Sequence, residues 1–228
     1  MIIIGGGEPT VYPGFAEVVR HLKNDGVKIG VVTNGSRLDR ILEIADVLEP
    51  EDWVRLSLDS GSNDTFERMH KPRKKTVTLD WICDQVPAVK AKNPNFNLGY
   101  SFIIVWDDCE ANDYEIVPNV HEIQMGAERA MKAGFDYISF KPFLNRAPSN
   151  NAEIVGLTKE EERVAPVMKE IRDRVNEAKK FASDTFRVIE STNLKVLENG
   201  TYKNYTDQPK NCHMQFFRQV LSPLGIFN

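Results

Sequence analysis

Cysteine is scarce in this sequence: Cys83, Cys109 and Cys212 are the three in 228 residues, an odd and widely spaced set. Such spacing is no disulfide framework and points to a reducing, cytoplasmic setting. Long hydrophobic runs are missing as well. No apolar stretch approaches the roughly 20 residues needed to cross a bilayer, so no membrane partner is expected. The opening Met1-Ile2-Ile3-Ile4-Gly5 has neither a basic start nor an extended apolar segment, which argues against a secretory signal. Positive charge is not in excess either: 29 Lys+Arg against 33 Asp+Glu leave a net charge of −4, with no general electrostatic reason to bind nucleic acid. What is present is the balance of a globular protein, 41% hydrophobic and 27% charged residues.

Short apolar runs alternate with longer periodic segments. Ile2-Ile3-Ile4 reads as a strand closed by Gly5-Gly6-Gly7. A helix follows over 11–25, with Phe15, Val18, Val19 and Leu22 on one face and a stop at Asn24-Asp25-Gly26. Strands are expected over 28–33, 53–59, 98–105 and 137–141, and helices over 38–48, 63–70 and 78–92, the last kinked or split by Pro87. A further helix lies within 113–133, interrupted near Pro118. The β-α order repeats about five times, which predicts an α/β fold with a parallel sheet and helical crossovers. After Pro142 the texture becomes polar and turn-rich. Thr158-Lys159-Glu160-Glu161 has capping-box spacing and opens a helix to about Phe181, with Val164, Val167, Met168, Ile171, Val175 and Ala178 as its apolar stripe. A strand over 186–190 and an irregular tail complete the chain. The expected division is a core over 1–184 and an extension over 185–228.

In parallel α/β folds the ligand site lies at the carboxyl ends of the strands. Those ends here carry Gly5-Gly6-Gly7-Glu8-Pro9-Thr10, Thr33-Asn34-Gly35, Ser57-Leu58-Asp59-Ser60, Ser101 and Lys141-Pro142-Phe143, all small or polar groups. Three glycines let a ligand approach the main chain with no Cβ in the way. Glu8 beside them repels a phosphate and attracts an ammonium group, and Pro9 holds the turn that carries it. A tight strand-to-helix turn with a solvated Glu8 is the plainer reading. Asn34-Gly35 is by itself a turn signal. Ser57 and Asp59 lie two apart and so share a face, a hydroxyl and a carboxylate suited to a ribose or the polar end of an amino acid. Asp59 and Ser60 also precede a helix and read equally as its N-cap. Cys83 falls within a helix and reads as a buried small hydrophobe, and Trp106-Asp107-Asp108-Cys109 as a surface loop. Lys71, Arg73, Lys74 and Lys75 form a basic run, either a solvated loop or a dock for an anionic substrate or peptide.

Gly5-Gly6-Gly7-Glu8-Pro9-Thr10 after a strand, then Thr33-Asn34-Gly35, then Ser57-Leu58-Asp59, resembles the radical S-adenosylmethionine (radical SAM) enzyme superfamily over residues 1 to about 145. The resemblance implies a partial (β/α)6 barrel, an open relative of the TIM barrel. It implies that Gly6, Gly7 and Glu8 bind the methionyl amino group of S-adenosylmethionine, with Asn34, Ser57 and Asp59 near its ribose and carboxylate. Ser101 and the Lys141-Pro142-Phe143 edge would face adenine or substrate. The implied chemistry is reductive cleavage to a 5′-deoxyadenosyl radical that abstracts hydrogen, driven by an external electron donor through a [4Fe–4S] cluster. That cluster is held in the family by Cys-x-x-x-Cys-x-x-Cys, which is absent from these residues. The expectation is therefore a fragment short of its first β-α unit and inactive alone. Lys210-Asn211-Cys212-His213 and Leu221-Ser222-Pro223-Leu224-Gly225 resemble the start of an auxiliary-cluster extension of SPASM or twitch type, with Cys212 as a ligand of an auxiliary cluster. Parents with such extensions often act on peptides or proteins. Two alternatives remain: a non-catalytic cofactor-binding module, and a dinucleotide-binding α/β enzyme. Against the latter, Pro9 and Thr10 stand where the third glycine of Gly-x-Gly-x-x-Gly belongs, and the second strand ends in Thr33-Asn34 instead of an acidic residue.

Overall fold

β-Branched runs too short to stand alone are joined here by amphipathic helices into one sheet. The computed structural model describes residues 1–5, 7–107, 109, 115–146, 153–154, 161–201, 220–222 and 225–227. In chain order the elements are β1 (Ile2–Ile3), α1 (Phe15–Asn24), β2 (Gly30–Thr33), α2 (Leu38–Ile44), β3 (Trp53–Ser57), α3 (Asn63–His70), α4 (Leu79–Cys83), α5 (Val86–Lys92), β4 (Asn97–Ile104), α6 (Ile123–Ala133) and β5 (Tyr137–Pro142). There follow β6 (Asn145–Arg146), β7 (Glu153–Ile154), α7 (Glu161–Lys179), β8 (Arg187–Glu190), α8 (Thr192–Glu198), β9 (Val220–Ser222) and β10 (Gly225–Phe227). β1, β2, β3, β4, β5 and β8 pair in that order, all parallel, into a six-stranded open sheet. This is the α/β architecture of a partial, TIM-like barrel. Among the described residues no helix is long and apolar enough to cross a membrane.

The two faces of the sheet are unlike. Val54 and Leu56 of β3, Leu98, Tyr100 and Phe102 of β4, and Ile138 and Phe140 of β5 are all fully buried beneath the helices. α2 contributes Leu38, Ile41 and Ile44 to this layer, and α7 contributes Ile171, Val175 and Ala178. The opposite, inner face carries Trp53, Arg55 and Ser57 of β3, each partly exposed. The strands are therefore not apolar on both faces. Register continues this face across the sheet: Arg55 stands beside Gly99 and then Tyr137, and Ser57 beside Ser101 and then Ser139.

Two glycines shape the inner face. A Cβ at Gly99 would lie 2.0 Å from Cζ of Tyr137, and one at Gly30 would lie 2.2 Å from Cζ2 of Trp53. Each aromatic ring thus lies across the neighbouring strand, where no side chain stands in its way.

Several expectations need correction. The first helix begins at Phe15, because Pro9–Val11 form a separate 3₁₀ turn, and Val18 is exposed while Phe15 and Val19 are buried. Among the described residues of 113–133 the α-helix runs over Ile123–Ala133, after the interruption expected near Pro118. Cys109 is buried, not on a surface loop, and its Sγ accepts the Trp106 N–H at 3.3 Å. As expected, by contrast, the helix over 78–92 divides near Pro87, into α4 and α5, with Pro87 in the first turn of α5, where the missing N–H costs nothing. β8 lies beyond residue 184, yet it pairs with β5 and extends the same sheet. Gly6, the start of the capping box at Thr158 and the segment around Cys212 lie outside the described residues.

Candidate functional site

Glu8 is the hub of the first strand end. Oε1 accepts from the Thr10 N–H at 3.1 Å, the Thr10 hydroxyl at 2.5 Å and the Thr33 hydroxyl at 2.6 Å, while Oε2 accepts the Asn34 N–H at 2.7 Å. The carboxylate caps the 3₁₀ turn that Pro9 begins and ties it to the end of β2. A carboxylate offers about four acceptor positions. Among the described residues three donors crowd Oε1 and one reaches Oε2, which leaves Oε2 with an acceptor position not used by them. The turn before it is glycine-built: Gly7 has φ 155° and bridges Gly5. Asn34 is a turn residue as well as a wall: its Oδ1 accepts the Ser36 N–H at 2.9 Å. Glu8 and Asn34 line one cavity of about 680 Å³ together with Phe66, His70 and the basic residues Lys71, Arg73 and Lys74.

The second cluster sits at the end of β3. Asp59 is buried and holds a left-handed backbone, φ 52°, a conformation Asp tolerates better than most residues. Its Oδ1 accepts the Ile103 N–H at 2.8 Å and its Oδ2 accepts the Ser57 hydroxyl at 3.0 Å. This hydrogen bond brings Ser57 and Asp59 together, although Asp59 lies beyond the end of β3 and outside strand alternation. Asp59 is not the N-cap of α3; Ser62 is, through its hydroxyl and the Thr65 N–H. Ser101 is buried beside Ser57 on β4, and its carbonyl accepts the N–H groups of Leu58 and Asp59.

Three residues of this region carry no sequence signature. His70 stacks on Phe66 at 4.8 Å between ring centroids, and its Nε2 lies 3.0 Å from the Leu58 carbonyl and 3.5 Å from Asp59 Oδ2. Asn119, fully buried, donates Nδ2 to the carbonyls of Asp59 and Ile103 and accepts the Val105 N–H on Oδ1. Glu122 is buried and accepts from the Gly61 N–H at 2.6 Å, from Ser62 through both N–H and hydroxyl, and from the Thr65 hydroxyl at 2.8 Å. All three hold the loop after β3 from elsewhere in the chain.

Burial works against the Glu122 charge, but the bonds from Ser62, Gly61 and Thr65 outweigh it and hold the carboxyl below its ordinary range. A depressed carboxyl stabilises the fold above its unfolded pKa, and that stability is lost as pH falls through the lower folded value. Urea denaturation between about pH 6 and pH 3 should show this loss, and Glu122→Gln should flatten the acid limb. An acid limb identical in both proteins would assign it elsewhere.

Cys83 does not have the character of a metal ligand. Burial pushes the Cys83 thiol up to about 11, away from the thiolate a metal needs. Among the described residues no three His, Cys, Asp or Glu side chains are placed to hold a metal ion.

Residues 1–113 match the family model described as Radical SAM superfamily. A "UPF0026 protein" of Helicobacter pylori strain 26695 is 35% identical over 79 residues, covering 34% of this chain and 25% of that protein. The chain therefore spans about a quarter of the length of this curated relative. Among solved structures, TYW1 with a lysine–pyruvate adduct bound superposes with a TM-score of 0.52 at 20% identity, covering 78% of this chain and 49% of TYW1. Streptococcus suis SuiB, bound to its precursor peptide SuiA, superposes with a TM-score of 0.56 at 14% identity, covering 86% of this chain and 39% of SuiB. At these identities the two structures speak for the fold.

Proposed function

We propose, from the match of residues 1–113 to the Radical SAM superfamily model, that this chain binds S-adenosylmethionine at the ends of β1, β2 and β3. The Oε2 position of Glu8 that the described residues leave unused carries the proposal: it offers a charged acceptor to the methionyl ammonium group, and Gly6 and Gly7 are read as sharing that role. Asn34, Ser57 and Asp59 are read as the ribose and carboxylate side of the site, with Ser101 toward the adenine or substrate. A carboxylate at this turn disfavours a dinucleotide pyrophosphate. When bound and reduced by one electron from an external donor, S-adenosylmethionine supplies a carbon-centred radical able to take hydrogen from a substrate.

The [4Fe–4S] cluster does not fit the described residues, where no trio of ligands comes together, so no step is assigned through it. These residues by themselves are proposed to bind the cofactor without cleaving it. Cys212 is read as an auxiliary-cluster ligand in a SPASM- or twitch-type extension over 185–228, within which β8 pairs with the core sheet. A peptide or protein substrate is favoured by the basic wall of Lys71, Arg73 and Lys74 along the cavity. The scarcity of cysteine supports a cytoplasmic setting.

Titration calorimetry under anaerobic conditions tests the binding. S-adenosylmethionine should bind saturably and NAD should not, and the reverse order overturns the reading. After incubation with iron, sulfide and dithionite, chromatography should find no 5′-deoxyadenosine. Its formation would show that these residues assemble a working cluster.

A further inference from the structure

The inner face of the sheet carries two cations, Arg55 and Lys141, that form no direct ion pair among the described residues; Asp59 is the carboxylate that acts on Lys141. Arg55 makes no hydrogen bond or ion pair among the described residues, and its Nε is buried without a partner. Its guanidinium lies 5.3 Å from the centre of the Trp53 ring. Lys141, on the same face at the end of β5, likewise forms no direct ion pair among the described residues. Elsewhere, well-covered cations are paired: Lys23 with Asp52 at 2.7 Å, Lys90 with Asp136 at 2.8 Å, and Arg129 with Asp80.

Register and strand alternation place Arg55 and Lys141 on the same face of the sheet, at successive levels along it. Ser57, Ser101 and Ser139 form a row of small side chains between the level of Arg55 and that of Lys141. Tyr137 lies across Gly99 toward β3 and floors the space from below. Above, Lys141, Ile103, Phe143, Ser191 and Asn193 line a cavity of about 520 Å³. The two charges sense each other: burial lowers the Lys141 pKa, Arg55 lowers it further, and Asp59 opposes both. Partly buried like charges without a direct ion pair are unfavourable, and an anion between them reduces that penalty. An arginine fork suits an oxyanion in two-point contact, and a lysine suits it as a point charge.

We infer that the inner face holds an oxyanion site between Arg55 and Lys141 that takes a carboxylate or phosphate group of the substrate. The word substrate rests on the function proposed above; the anion site itself does not. Calorimetry on the full chain at low ionic strength, with sodium phosphate and sodium glutarate and no S-adenosylmethionine, separates the two sources. Saturable binding of either anion, weakened at least about tenfold in Arg55→Gln and in Lys141→Met, supports the site. The anion that behaves so names the group. Arg55→Lys keeps the charge and should retain part of the affinity, and Lys169→Gln, paired on α7 with Asp173, should change nothing. Circular dichroism confirms that each variant is folded. Absence of saturable binding to the parent chain, or binding unchanged in folded Arg55→Gln and Lys141→Met, overturns the proposal. Because no cofactor is present, failure here is distinct from failure to bind S-adenosylmethionine.

Discussion

Glu8→Gln is expected to weaken S-adenosylmethionine binding by about 10- to 100-fold, the worth of one charge-assisted hydrogen bond. The side chain has nearly the same shape, so the loss is one of charge and of acceptors. All four internal partners of Glu8 are donors: two hydroxyls and two main-chain N–H groups. An amide nitrogen at the Oε2 position would meet the Asn34 N–H, donor against donor. Placed at Oε1, it would face the Thr10 N–H, although the two hydroxyls can turn to accept. Either orientation leaves a donor unmet, at about 1–3 kcal/mol of stability. Calorimetry for the cofactor and urea denaturation for stability should therefore both register the change. Cofactor affinity equal to that of the parent chain would show that Glu8 is a structural cap and no more.

The second large effect is at Asp59, where backbone and side chain make separable demands. Asp59→Ala removes the acceptors for the Ile103 N–H and the Ser57 hydroxyl and keeps a side chain in the left-handed region. A loss of roughly 3–5 kcal/mol is expected. Asp59→Gly relieves the backbone but not the lost bonds, and roughly 2–3 kcal/mol should go. Asp59→Asn keeps an oxygen for Ile103, tolerates the left-handed backbone and can donate to the Ser57 oxygen, so about 1 kcal/mol is expected. Urea midpoints should rank the variants Asn, Gly, Ala from most to least stable. A glycine variant as stable as the parent chain would mean that backbone strain alone is at stake.

The β-α order was legible because the main strands are short runs rich in Val, Ile, Leu or aromatic residues, several of them closed by glycine or asparagine, and the helices between them show an apolar face. The division at Pro87 was legible for the same local reason. Glu8, Asn34, Ser57 and Asp59 stood out because short spacings and strand ends are local facts. What escaped is long-range. Glu122 reaches Gly61 across 61 positions and Asn119 reaches Asp59 across 60, and no local pattern marks such partners. Thr10 and Thr33 look like ordinary turn and strand residues until their hydroxyls are seen on Glu8. Cys109 follows two aspartates and so looks exposed, yet its sulfur turns inward to Trp106. Arg55 sits in an apolar strand whose alternation is visible only when its two faces are told apart.

The rings of Trp53 and Tyr137, laid across Gly30 and Gly99, join residues distant in the chain into single units of inheritance. An alanine at position 99 is compatible with the present floor only if residue 137 becomes smaller or turns away, and the same holds for 30 and 53. Lineages descended from this protein should therefore change these positions in pairs, glycine with aromatic, while Val31 or Val54 drifts among aliphatics by itself. Where one member of a pair has changed alone, the floor beside Arg55 has been rebuilt, and with it the shape of whatever the face admits.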